Sequence, residues 1–223
     1  MSLKFNQPLI LGNRYEYNSD AFTVVGTPTV TADGIASGFS STSGIDTIKL
    51  LPNTDSWEVK LRYIYKTSTN NYDYLIYNSA GDTAFNVTIT NTGAGLTVFS
   101  ESGGSNVAVN AYSSTLSFVN NDVLDFTFRY DSTEQKYYIE IYKNGDLFVS
   151  NSSAQTEEII KQTNAGNIRL GFRMGTSRYA RGSIDLKKFQ VFVNGELKAS
   201  GSTLLPKQWV NKPFNFDTDT LIN

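Results

Sequence analysis

The stretch from Val123 to Ser150 reads VLDFTFRYDSTEQKYYIEIYKNGDLFVS, and its period decides the fold. Leu124, Phe126, Phe128 and Tyr130 occupy every second position, with Asp125, Thr127 and Arg129 between them. A β-strand turns successive side chains to opposite faces, so this spacing predicts a strand with one apolar and one polar face. After the polar turn, Tyr137, Ile139 and Ile141 repeat the pattern. Asn144-Gly145 then separates YYIEIYK from DLFVS. A type I′ turn needs positive φ at both central residues, which Asn-Gly accepts, so the two runs are expected to pair as an antiparallel hairpin.

The same period extends through the chain. Ser56 to Lys66, SWEVKLRYIYK, places Trp57, Val59, Leu61, Tyr63 and Tyr65 on one face and Glu58, Lys60 and Arg62 on the other. Phe85, Val87 and Ile89 alternate with Asn86, Thr88 and Thr90. Ile168, Leu170, Phe172 and Met174 alternate with Arg169 and Arg173. A second Asn-Gly, Asn194-Gly195, predicts a hairpin between KKFQVFV and ELKAS. Before it the parity slips: Ile184 and Leu186 are followed by Phe189, Val191 and Val193, so a β-bulge is expected at Lys187-Lys188. Helical signal is confined to residues 156–162, where Thr156 is a candidate N-cap and Glu157 and Glu158 fall in the first turn. Many short strands with polar turns and almost no helix predict an all-β fold, a two-sheet antiparallel β-sandwich or jelly roll. The expected organisation is an N-terminal arm over 1–19, a sandwich over 20–200 and a C-terminal arm over 201–223.

Composition excludes more than it assigns. The 223 residues contain no cysteine and no histidine. Thiol nucleophiles, thiolate metal sites, histidine ligands and Ser-His-Asp catalysis are therefore ruled out. Carboxylate chemistry, oxygen-ligated metals and pure binding remain. Lys and Arg number 19 and Asp and Glu 21, a formal charge of −2, and no basic stripe marks a nucleic-acid surface. No apolar run approaches the ~18 residues of a membrane-spanning helix, so no membrane insertion is expected. Met1 to Ile10 carries one cation and a proline within its apolar patch, unlike a secretory signal.

The layout of Val123 to Ser150, with an aromatic strand ending in Tyr-Asp, a polar turn and a strand ending in Asn-Gly, resembles the laminin-G-like, concanavalin A-like lectin/glucanase family. Asn167 to Met174 followed by Gly182-Ser183-Ile184-Asp185 is similar to that family's penultimate and final strands. The resemblance spans roughly Asp20 to Ser200 and implies a concanavalin A-like jelly roll. Gly182 to Gly201, GSIDLKKFQVFVNGELKASG, is also similar to lectin-like modules of bacteriophage tail, baseplate and fibre proteins.

Glycan-hydrolysing members of that family carry a Glu-x-Asp-x-x-Glu run, and this chain has none. Asp185 stands alone before two lysines, and Asp125 and Glu140 are a pair only if neighbouring strands bring them together. Their plain reading is as solvated surface acids, so a non-enzymatic protein is expected. Sugar binding uses aromatic faces with polar neighbours, and Asn70 to Asn78, NNYDYLIYN, is the richest such stretch. Either Leu75 and Tyr77 face the core while Tyr72, Tyr74 and Ile76 line the open face, or the opposite phase exposes Asp73 and Tyr77. The competing reading is that these tyrosines are ordinary strand formers. The second candidate is the connection Gly175 to Gly182, where Arg178 and Arg181 flank Tyr179, with Arg173 just before it. A guanidinium fork suits carboxylates and phosphates, such as acidic glycans or teichoic acid. The alternative is pairing with acids of a neighbouring subunit, or simple solvation.

Many domains of the resembled family bind calcium through Asp, Asn and carbonyl groups. Asp46, Asp55, Asp131, Asn144 and Asp146 are available, but no EF-hand spacing or compact acidic loop groups them, so no cofactor or metal is expected. The terminal segments carry Phe5, Trp209, Val210, Phe214 and Phe216, which suit either folding over an edge of their own sandwich or docking to other virion subunits or a second copy of the chain. The expected function is recognition of a glycan or cell-wall polymer by a virion protein. The alternatives are a structural virion or assembly protein without a glycan ligand, and an accessory module of a secreted glycan-active enzyme.

Overall fold

Alternation in the sequence becomes alternation of burial. Trp57, Val59, Leu61 and Tyr63 are buried, and Glu58, Lys60, Arg62 and Ile64 between them are half-buried. The computed structural model describes residues 23–49, 55–68, 72–78, 85–99, 106–154, 167–173 and 176–201. These form β1 (Thr23–Val25), β2 (Thr29–Val30), β3 (Ile35–Ser37), β4 (Gly44–Lys49) and β5 (Trp57–Ile64). Then come β6 (Asp73–Asn78), β7 (Phe85–Ile89), β8 (Gly93–Phe99), β9 (Asn106–Tyr112) and β10 (Val123–Asp131). The last five are β11 (Lys136–Lys143), β12 (Asp146–Ala154), β13 (Asn167–Leu170), β14 (Ser183–Val193) and β15 (Glu196–Ser200). The helix expected over 156–162 and the expected arms, apart from Gly201, lie outside the described residues.

Every ladder is antiparallel. A seven-stranded sheet runs β1-β4-β13-β6-β7-β8-β9. An eight-stranded sheet runs β12-β11-β10-β5-β14-β3-β2, with β15 also paired to β14. Their inner faces share one apolar core, to which Ile45, Leu75, Leu96 and Ile168 contribute from the first sheet and Leu61, Phe126, Ile139 and Ile184 from the second. The fold is the expected all-β sandwich, with no α-helix among the described residues. Burial of each large side chain contributes about 1.5–3 kcal/mol, so the four inward residues of β10 alone outweigh its exposed ion pairs. At one margin the sheets are tied by a hydrogen bond of 2.6 Å from Asn151 Nδ2 on β12 to the Asn110 carbonyl on β9.

Both Asn-Gly turns form as the sequence predicts. φ is 51° and 99° at Asn144-Gly145 and 49° and 79° at Asn194-Gly195. The asparagine side chains also serve a second purpose. Asn144 Oδ1 accepts from the Val123 amide at 2.9 Å, and Asn194 Oδ1 accepts from the Ser56 amide at 3.1 Å. Each turn is thereby fastened to the start of the next strand in the sheet, β10 and β5 respectively. The irregularity expected at Lys187-Lys188 is present and larger than one residue. Asp185 pairs with Arg62 and Gln190 with Lys60, so the residues between them arch away from β5. Lys187 and Lys188 are both exposed there, and Leu186 and Phe189 on either side are both buried. Asp185 Oδ1 holds the arch by accepting from the Lys187 amide at 3.0 Å.

Two glycines separate backbone strain from steric exclusion. A Cβ on Gly145 would meet nothing within 4 Å, whereas one on Gly182 would lie 2.0 Å from the Ile64 carbonyl oxygen. Gly145→Ala is expected to lower stability by about 1–2 kcal/mol, the cost of a left-handed conformation alone. Gly182→Ala is expected to disrupt the β5–β14 pairing and to unfold at much lower urea. Equilibrium urea denaturation of the two variants measures the difference, and equal losses would contradict this account.

Candidate functional site

The site is built from β6 and from the connection between β13 and β14. Along β6 the register with β7 runs Asp73 to Ile89 and Tyr74 to Thr88, then jumps to Ile76 with Val87 and Tyr77 with Asn86. A bulge therefore falls between Tyr74 and Ile76. Directly paired residues share a face, so Tyr74 and Tyr77 join Thr88 and Asn86 on the outer face. Leu75 and Ile76 both enter the core. This corrects both alternatives expected for the strand. The extra residue reverses the parity midway, so neither uniform alternation holds, and two tyrosines three positions apart look the same way.

Asp73 is only 1% exposed and stands opposite the core residue Ile89, as the phase with Leu75 inward has it and not exposed as the opposite phase has it. Its Oδ1 accepts from Ser68 Oγ at 2.8 Å, and Arg181 Nε lies 4.0 Å away. Asp73 contributes to a cleft of about 300 Å³ lined also by Tyr65, Thr67, Ser68, Ile89, Thr90 and Asn91. Burial first, and the Asp73 charge second, push the Tyr65 phenol above its ordinary value. Tyr63 is driven up more strongly, mainly by burial, although its hydroxyl accepts from the Gly182 amide at 2.7 Å.

The remaining candidates come together across about a hundred residues of sequence. The Arg173 guanidinium stands 5.4 Å from the Tyr74 ring centre and 5.1 Å from that of Tyr77, and its Nη1 donates to the Tyr74 hydroxyl at 2.7 Å. Arg178 lies 4.1 Å over Tyr72. Tyr72 meets Tyr74 edge-on at 5.8 Å, and Tyr74 meets Tyr77 in the same way at the same distance. Tyr74 and Tyr77 are only 5% and 8% exposed, while Tyr72 and Arg173 are half-buried and Arg178 is exposed. Burial disfavours the Arg173 charge, but the hydrogen bond to Tyr74 and the surrounding phenols outweigh it, so the group is held above its ordinary value. Tyr179 and Arg181 belong elsewhere. Arg181 stacks 4.2 Å over Tyr179 on the Asp73 side, and Tyr179 packs against the core. Eight candidate residues thus divide into an outer cluster of Tyr72, Tyr74, Tyr77, Arg173 and Arg178 and an inner one of Asp73, Tyr179 and Arg181.

Sequence reasoning missed the neighbours of the outer cluster. Arg169, paired with Tyr77 across β13 and β6, forms a two-point contact with Asp46 at 2.8 and 3.3 Å. Asn86 and Thr88 extend the polar floor on β7, and alternation in FNVTI had already placed both outward. Burial pushes the Tyr112 phenol on β9 up, against a hydrogen bond with Thr88 that draws it down.

The candidate acids lie on the outer face of the eight-stranded sheet. Register sets Glu140 opposite Thr127 and Asp125 opposite Tyr142, and Arg62 grips Asp125 at 2.7 and 2.8 Å. Asp125 is thus bound by Arg62, with Glu140 diagonal to it on the same face. Of the calcium candidates, Asp46 holds Arg169, Asp55 accepts from Asn194 Nδ2 at 3.1 Å, and Asp131 caps a turn by accepting from the Thr133 amide. Among the described residues no three acidic side chains converge.

No protein-family model matches the sequence, and no curated protein matches it. The fold is similar to several solved structures. Against the receptor-binding domain of botulinum neurotoxin type G the TM-score is 0.55 at 16% identity, covering 82% of this chain and 44% of that one. Against domain 4 of AbnA, a GH43 extracellular arabinanase from Geobacillus stearothermophilus solved with arabinotriose, it is 0.52 at 16% identity, covering 82% and 86%. Against the binding domain of Paraclostridial Mosquitocidal Protein 1 it is 0.50 at 14% identity, covering 87% and 47%. The chain spans less than half the length of the two toxin chains. These likenesses establish a β-sandwich fold of the kind found in these binding domains and in the AbnA domain.

Proposed function

We propose that this chain is a non-enzymatic carbohydrate-recognition module whose ligand rests on the outer face of the seven-stranded sheet. The observation that carries the reading is the convergence of Tyr72, Tyr74 and Tyr77 with Arg173 and Arg178 on a polar sheet face. The half-buried Tyr72 ring and the phenol and guanidinium donors around it are groups that can grip a sugar's hydroxyls. The sheet fixes Tyr74 and Tyr77 before binding, and the β13–β14 connection carries Arg173 and Arg178 to them. The arabinotriose-bound AbnA domain, a sandwich of the same kind, supports the reading by fold. The engagement of Asp125 by Arg62 at 2.7 and 2.8 Å, and of Asp185 by the Lys187 amide, supports binding over hydrolysis, because both acids already serve the fold.

The finer placement is part of the proposal. The resemblance of Gly182 to Gly201 to lectin-like phage modules favours a concanavalin A-like jelly roll in a bacteriophage tail, baseplate or fibre, contacting cell-wall glycan. Terminal arms would then join it to other virion subunits or to a second copy.

Two substitutions test the site. Tyr72→Ala removes the half-buried ring under Arg178 and is expected to weaken glycan or cell-wall binding about tenfold, equivalent to ~1.4 kcal/mol. Calorimetric titration with purified cell-wall polysaccharide measures it, and unchanged affinity would place the ligand elsewhere. Asp73→Asn is expected to lower stability by about 1–3 kcal/mol, because it weakens a buried acceptor beside Ser68 and Arg181. Its glycan affinity should stay at the parent value, and a loss of affinity in the folded variant would return Asp73 to the site.

A further inference from the structure

The described residues include six arginines, and the chain treats them in two ways. Four have a carboxylate within 4.0 Å: Arg62 with Asp125 at 2.7 Å, Arg129 with Asp131 at 3.9 Å, Arg169 with Asp46 at 2.8 Å and Arg181 with Asp73 at 4.0 Å. Arg173 and Arg178 have none among the described residues. Both come from the β13–β14 connection, and both contact tyrosines of the outer face. Arg169 shares that face, but Asp46 neutralises it, so the uncompensated charge is concentrated on these two side chains.

Tyrosine rings supply what the carboxylates do not. An aromatic face holds a guanidinium in place by cation–π attraction and leaves the N–H groups in the guanidinium plane for another partner. Each guanidinium has five N–H donors. Arg173 gives one to the Tyr74 hydroxyl, and the Arg178 guanidinium makes no hydrogen bond to another described side chain. Arg178 covers one face of Tyr72, and Tyr74 and Tyr77 are only 5% and 8% exposed, so little ring surface is open to a neutral sugar. Charge and hydrogen-bond donors, rather than open rings, are what this surface offers.

We infer that Arg173 and Arg178 form an anion-reading subsite that selects polysaccharides bearing carboxylate or phosphate groups over neutral ones. This rests on the glycan reading above and names the class of glycan. Carboxylates and phosphates accept two parallel N–H bonds from one guanidinium, and such charge-assisted pairs are about twice as strong as neutral hydrogen bonds.

The test measures affinities of the whole chain for three polymers at low salt: polygalacturonate, poly(glycerol phosphate) and neutral dextran. At least one anionic polymer is expected to bind tenfold or more tightly than dextran. Its binding should weaken as NaCl rises from about 50 to about 500 mM, as screening requires. Which of the two anionic polymers wins identifies carboxylate or phosphate as the group read. Arg178→Ala should weaken the anionic polymer about tenfold. Arg178→Lys should also lose affinity, because an ammonium keeps the charge without the fork. Lys136→Ala, which removes an exposed charge on the other sheet, should change nothing. Circular dichroism confirms that each variant is folded. Dextran binding as tight as the anionic polymers, and unaffected by Arg178→Ala, would overturn this inference and leave the glycan reading standing. Anionic binding lost equally in Lys136→Ala would also overturn it, as non-specific attraction. No binding of any polymer, or of cell-wall glycan, would overturn both.

Discussion

Pairing on both edges of β5 sets the register of the eight-stranded sheet. Its Tyr63 stands opposite Leu124 of β10 and Ile184 of β14, and all three are fully buried. One position along, Arg62 stands between Asp125 and Asp185 on the outer face. Register is therefore encoded twice, by apolar contact inside and by alternating charge outside. A slip of one residue would send the whole inner row to solvent and set Arg62 among apolar side chains. The charges contribute little energy, since an exposed pair is worth about 0–1 kcal/mol. Burial supplies the stability, and the charge row disfavours the wrong registers.

Where the period holds, the sequence is legible; where it breaks, legibility depends on whether polar residues mark the break. In β14 two adjacent lysines interrupt the apolar series, and water attracts both, so the arch between Asp185 and Gln190 could be anticipated in place if not in size. The bulge in β6 has no such marker. Tyr74, Leu75, Ile76 and Tyr77 are all apolar or amphipathic, and each is acceptable on either face of a strand. Only the partner strand, where Val87 must be inside and Asn86 outside, decides which of the four residues go in. That decision is tertiary, and it is the one that brings Tyr74 and Tyr77 to the same surface.

The arginine pairings were unreadable for a related reason. Arg62 finds Asp125 across 63 positions and Arg169 finds Asp46 across 123. Nothing local distinguishes these from Arg173 and Arg178, which meet aromatic rings instead. Sequence alone put two arginines beside one tyrosine in a loop and treated Arg178, Tyr179 and Arg181 as a unit. The fold separates them. Arg178 extends over the outer face to Tyr72, whereas Arg181 turns toward Asp73 on the other side of the same short connection. Three or four residues of irregular backbone reverse a side chain as easily as a strand does, and without a period to reveal it.

The absence of histidine acquires a meaning beyond the exclusion of catalysts. A guanidinium is charged throughout the biological pH range, and no imidazole elsewhere in the chain can alter the field around Arg173 and Arg178 between pH 5 and 8. Among the described residues no carboxylate lies within 4.0 Å of either guanidinium, and Asp46 on the same face is committed to Arg169. A surface of this composition has a charge fixed by its fold. Any pH response of an anion held there must come from the ligand's own acid, so a carboxylated polymer would be released only as its carboxyl groups protonate, and a phosphodiester polymer would be retained at still lower pH.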